Sequence, residues 1–161
     1  MTPGVLAAGV GLLAVRLEPG EDVGGRLLGE LDRAARGGAA VVAAVGSLRS
    51  LTYAIASLAD DTLVAYRERR RLDGAIEVCS LQGHLGRDPE GRPGFHLHGA
   101  FALEDGRLVG GHVFEAAVLA TLEVSLLLAD ALDWRIEPFL PPGRRDLPAG
   151  LRTFVPRPRT A

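Results

Sequence analysis

The sequence predicts a mixed α and β chain in which strands outnumber helices. Three observations carry this reading. One stretch near the N-terminus has helical periodicity, several later stretches alternate apolar and polar residues, and a hairpin is written around Glu104-Asp105-Gly106. With 161 residues, 47% of them hydrophobic and 24% charged, the chain makes one ordinary domain that buries a core without disulfide staples. Aromatic residues are only 5%, so Val, Leu, Ile and Ala must fill that core.

Taken in order, residues 1–11 read as a loose N-terminal tail. They lack a basic segment, and their apolar run is too short to span a bilayer, so neither a signal peptide nor a membrane anchor is expected. Leu13, Val15 and Leu17 alternate with Ala14 and Arg16 as a strand that Pro19-Gly20 ends. Glu21-Asp22 opens a helix with acids in its first turn, Val23, Leu27, Leu28 and Leu31 on one face, and Gly37-Gly38 as its stop. Residues 39–45 and 51–58 are two strand candidates separated at Gly46-Ser47, and Asp60-Asp61 is a turn. Residues 62–73 are polar and carry no clear period, whereas 75–85 alternate as a strand. Residues 87–94 hold two prolines and two glycines and read as a loop. The hairpin strands are 95–103 and 107–114. The apolar run 118–128 fits a helix or a buried strand, and 134–139 a last edge strand. Residues 141–161, rich in Pro and Arg, read as a C-terminal tail.

The net charge is −2 and the pI about 6.1, which argues against broad neutralisation of nucleic-acid phosphates. Arg69, Arg70 and Arg71, with Arg144, Arg145, Arg152, Arg157 and Arg159, are read as a solvated loop and tail. Cys79 is the only cysteine, so no internal disulfide forms, which fits a reducing cytoplasm as the compartment.

All four histidines fall between His84 and His112. His96 and His98 are two apart on one strand and share a face, opposite Phe95, Leu97, Phe101 and Leu103. The turn decides whether His112 joins them. A two-residue Asp-Gly turn would send His112 to the other face. A three-residue loop with Gly106 in the left-handed position would set His98 directly across from His112, Cβ atoms about 5 Å apart. Three converging imidazoles form a ligand set for zinc or another divalent transition metal. They equally suit a polar subunit interface. His84 could approach from the preceding strand, and Glu115 and Glu123 are read as solvated or interface carboxylates.

The runs Gly94-Phe95-His96-Leu97-His98-Gly99 and Asp105-Gly106-Arg107-Leu108-Val109-Gly110-Gly111-His112 resemble the signature of the plants and prokaryotes conserved domain. Leu17-Glu18-Pro19-Gly20-Glu21-Asp22, Val45-Gly46-Ser47-Leu48, residues 76–83 and residues 120–124 are similar to its other blocks, in the same order. The resemblance implies an α+β fold over residues 12–140, a mostly antiparallel sheet with flanking helices, forming a homotrimer. It also implies that 118–128 is a strand and that His96, His98 and His112 are metal ligands in some members. In plants the domain accompanies AT-hook peptides. Here Gly91-Arg92-Pro93 has only the core of such a hook, inside a loop, so DNA is a weakly supported partner. No HExxH, Gly-x-Ser-x-Gly or P-loop is present. The reading is therefore a homotrimeric binding module with a histidine metal site, its small-molecule or protein partner unspecified. A metal-dependent enzyme acting on a small molecule is the alternative.

Overall fold

A computed structural model of the protein describes residues 9–59, 62, 63, 66, 68–138 and 152–159. Among them the chain order is β1 (Val10–Leu17), α1 (Val23–Arg33), β2 (Ala39–Ala54), β3 (Leu58–Ala59), β4 (Thr62–Leu63), β5 (Arg70–Arg87), β6 (Pro93–Leu103), β7 (Leu108–Ala129), β8 (Leu132–Pro138) and β9 (Arg152–Pro158). No helix among them is long and apolar enough to cross a membrane.

The main sheet runs β1-β7-β2-β5-β8-β9, and β6 pairs with both β5 and β7. Strands β7, β2, β5 and β6 thus close a circuit of antiparallel pairing. Closure is possible because the long strands bend. Pairing of β2 with β7 shifts register at four places, and each such irregularity adds local twist. Inside the curve, Leu17, Leu48, Leu51, Leu81, Leu85, Leu97, Phe101, Leu122 and Leu126 are almost wholly removed from water. Helix α1 covers one side with Val23, Leu27 and Leu31, each worth about 1.5–3 kcal/mol of burial.

Several expectations are corrected. One helix, not several, flanks the sheet among the described residues, and 118–128 is strand because it pairs with β1 on one edge and β2 on the other. The acids precede the helix instead of occupying its first turn: Asp22 is the N-cap and accepts a hydrogen bond from Gly25 N at 2.6 Å. The helix ends at Arg33, before Gly37-Gly38. Those glycines serve packing, since a Cβ on Gly38 would lie 2.7 Å from the Trp134 backbone N. The two strands expected at 39–45 and 51–58 are one bulged strand ending at Ala54, and the two expected at 107–114 and 118–128 are the single β7. The C-terminal region is not all tail: Arg152–Pro158 pairs antiparallel with β8. Thr153, Phe154 and Val155 favour strand, and Pro is tolerated because β9 lies at the sheet edge. Asp60-Asp61, Arg144, Arg145 and Phe139 lie outside the described residues.

Candidate metal centre and its pocket

The β6–β7 hairpin closes as the three-residue alternative. Gly106 N donates to Leu103 O and Leu103 N donates to Arg107 O, both at 2.9 Å, with Gly106 at φ +80°. His98 therefore pairs directly with His112. Burial enforces the parity: Leu97 and Phe101 on the reverse face are 1% and 0% exposed, so a slip by one residue would drive them into water. Beside His112, strand β2 approaches so closely that a Cβ on Gly111 would stand 2.4 Å from Ala54 O.

This frame brings His96, His98 and His112 together with their candidate ligand nitrogens within 4.8 Å of one another. The Nε2 atoms of His96 and His98 are 3.0 Å apart. Burial lowers the pKa of all three rings. His112 is shifted furthest, to about 4, because the His96, His98 and Arg69 charges add to its burial. The rings are thus neutral near pH 7, the form that carries a free lone pair for a metal. Nδ1 of His112 is buried and has no hydrogen-bond partner. A tetrahedral zinc holds imidazole nitrogens at about 2.0–2.1 Å, hence roughly 3.4 Å from one another. Three neutral rings at these separations, one with an orphaned nitrogen, fit such an ion after small side-chain rotations.

The other candidates stand apart. His84 pairs opposite His96, but its ring lies on Trp134 with centroids 3.8 Å apart, outside the three-ring cluster. Glu115 accepts a hydrogen bond from Thr52 at 3.2 Å, and Glu123 is 3.9 Å from Arg16, both exposed. Several arginines of the two runs are engaged locally. Arg71 pairs with Asp73 at 2.9 Å, Arg157 with Glu137 at 2.7 Å, and Arg69 lies 3.9 Å over the Phe114 ring. Arg92 of the Gly-Arg-Pro tripeptide is held by Asp88 at 2.6 Å and Glu90 at 2.8 Å.

Sequence reasoning missed the aromatic surround. His112 stacks on Tyr66 with centroids 4.4 Å apart and meets Phe114 edge-on at 4.6 Å; Phe154 of β9 lies 5.7 Å from His96. These rings border a pocket of about 520 Å³ that opens beside His96 and His112. Phe114 was findable, since it is two residues from His112 on the same strand. Tyr66 and Phe154 sit in polar and Pro-rich segments that offered no such signal.

Fold and site together define a class: a strand-rich α+β domain carrying three imidazoles on the outer face of one hairpin. The chain belongs to the Plants and Prokaryotes Conserved (PCC) domain family, whose model matches residues 8–130. A curated relative, the "Bifunctional protein GlmU" of Synechococcus sp. (strain JA-3-3Ab), is 36% identical over 146 residues, 83% of this chain and 21% of the relative. The chain spans about a fifth of the length of the curated relatives it matches. Among solved structures, a hypothetical protein from Salmonella enterica aligns with a TM-score of 0.76 at 24% identity, over 96% of this chain and 99% of that one. A plant- and prokaryote-conserved protein from Pyrococcus horikoshii reaches 0.69 at 22% identity, over 86% and 92%. The metal-containing protein AF0104 of Archaeoglobus fulgidus reaches 0.65 at 22%, over 83% and 89%. A Ralstonia eutropha protein described as a DNA-binding candidate reaches 0.67 at 14%, over 87% and 89%. At these identities the structural likeness concerns the fold.

Proposed function

We propose that this chain is a homotrimeric binding module whose His96, His98 and His112 hold a divalent transition metal, zinc first among them. The observation that carries the reading is the convergence of three neutral imidazoles, one with a buried nitrogen that lacks any partner. When bound, a metal with an open coordination position would hold an oxygen-bearing ligand or polarise it. AF0104, a structural neighbour described as metal-containing, supports the same reading. Self-association is supported by the exposed outer face of the sheet, where Val10, Leu12, Val45 and Leu127 stay in water in the single chain. The pairings of Arg16 with Glu123 and of Glu123 with Val45 put these side chains on one face. A cytoplasmic location rests on the free, exposed Cys79 alone.

The test is metal content of the untagged protein beside His98→Ala. Near-stoichiometric metal in the wild type that is lost in the variant is the expected result. Absence of metal after incubation with zinc would return the histidines to interface packing. Sedimentation of the same samples checks the trimer.

A metal-dependent enzyme is the second reading, favoured by the pocket that opens beside His96 and His112. DNA association has the support of the Ralstonia neighbour's description. The net charge of −2 and the paired state of Arg92 weigh against it. A shift assay on AT-rich duplex at about 50 mM salt decides it, because phosphate-driven binding is strongest at low salt.

A further inference from the structure

The pocket beside the histidines is built by several parts of the chain, Tyr66 before β5 and the turn residues Asp88 and Arg92 among them. Phe95, His96, His112 and Phe114 come from the hairpin, and Ile136, Arg152 and Phe154 come from β8 and β9, beyond the matched family region. Its aromatic content is disproportionate. Tyr66, Phe95, Phe114 and Phe154 are four of the chain's eight aromatic residues, counting five Phe, two Tyr and one Trp. All four are only half-buried, whereas among the described residues the fully buried core takes just Phe101 and Tyr53. Half-covered rings around a concavity of about 520 Å³ offer a flat apolar surface at the size that small ligands use.

The charges single out one residue. Asp88, Arg92 and Arg152 line the pocket. Asp88 is saturated: its oxygens accept from Glu90 N at 3.1 Å, Arg92 N at 2.9 Å and Arg92 Nε at 2.6 Å. Arg152 is left with a long 3.9 Å approach to that same carboxylate, and its side chain is 60% exposed. Arg92 is answered twice, by Asp88 and by Glu90, whereas among the described residues Arg152 has only that long contact, so its guanidinium is the pocket cation freest to meet a ligand. A guanidinium presents a planar fork that carboxylates match with two parallel hydrogen bonds.

We propose that this pocket binds a small carboxylic acid with a flat apolar body, its carboxylate on Arg152 and its body against Phe114, Phe154 and Tyr66. The far end of such a ligand would face His96 and His112. The proposal deepens the metal-centre reading there, but the Arg152 anchor does not depend on a metal.

The probes are 3-phenylpropanoate and its uncharged amide, titrated by ligand-observed NMR against the untagged protein at neutral pH, with EDTA and with zinc. The acid should bind about tenfold more tightly than the amide, as one charge-assisted contact allows. Arg152→Gln should bring the two probes together, and Arg152→Lys should retain part of the preference. His98→Ala, which lies outside the pocket lining, should keep the acid preference even when its metal is gone, so that the two readings fail separately. Equal binding of acid and amide, or no binding of either at on the order of 10 mM, would overturn the proposal. So would a preference that survives Arg152→Gln.

Discussion

The two hairpins that meet at the pocket are held by different means. The β6–β7 hairpin is locked from below. It turns through three residues, buries Leu97, Phe101 and Val113 in the core, and pairs with a neighbour on each outer edge. The β8–β9 hairpin is an addition to the sheet. It joins the rest through one parallel pair, Arg87 with Arg135, and Ile136 is its one fully buried apolar side chain. It is seated on glycines: a Cβ on Gly37 would overlap the Asp133 carboxylate, and one on Gly86 would lie 2.2 Å from Trp134 O. The difference teaches a division of labour. Groups that must converge within a few ångströms stand on the strand pair whose register the core enforces. Some of the groups that shape the space above them, Ile136, Arg152 and Phe154, stand on the more lightly tied strand pair.

The contrast can be broken first at its strongest point. Phe101→Ala should remove about 3–5 kcal/mol of stability in urea unfolding, since the ring is wholly buried beneath the histidines. A loss near zero would mean that the core does not fix the hairpin. Gly86→Ala should act more locally and cost about 1–3 kcal/mol through the clash with Trp134. Amide exchange should then rise in β8 and β9 and stay unchanged in β6. Equal exchange in all three strands would merge the two hairpins into one cooperative unit.

Acid distinguishes them too. The three clustered rings have folded pKa values below the ordinary one, so the unfolded chain takes protons first as pH falls. In EDTA, stability should hold above about pH 6.5, the ordinary imidazole value, and decline from there toward pH 4. The decline in melting temperature across that window should be smaller in His112→Ala, where His84, His96 and His98 still titrate low, and a decline of equal size in the variant would exclude the ring as a source. The smallest effect belongs to the outer hairpin: Arg157→Ala should cost under about 1 kcal/mol, because its pairing with Glu137 is exposed to solvent.

The legibility of the sequence follows the same division. The β6–β7 hairpin could be read closely: alternation and the Glu104-Asp105-Gly106 turn left two registers, and the structure forms the three-residue one. The family resemblance added the strand character of 118–128, which periodicity alone left open. The β8–β9 hairpin was half read. Trp134 announced a strand, but its partner was hidden among Pro156, Pro158 and five arginines, which local rules class as tail. What makes it a strand is pairing with a distant segment, and that has no local signal. Gly37-Gly38 and Gly86 carried information that could be read only after Asp133 and Trp134 were seen to rest on them. The pocket was illegible for the same reason, since Tyr66, Phe114 and Phe154 come from three separate stretches.

The most direct test is a crystal of the zinc-treated protein examined by anomalous scattering at the zinc edge. The account predicts one peak per chain, about 2.0–2.1 Å from a nitrogen of each of His96, His98 and His112. A peak bound elsewhere, or three imidazoles bonded only to one another and to water, would contradict it.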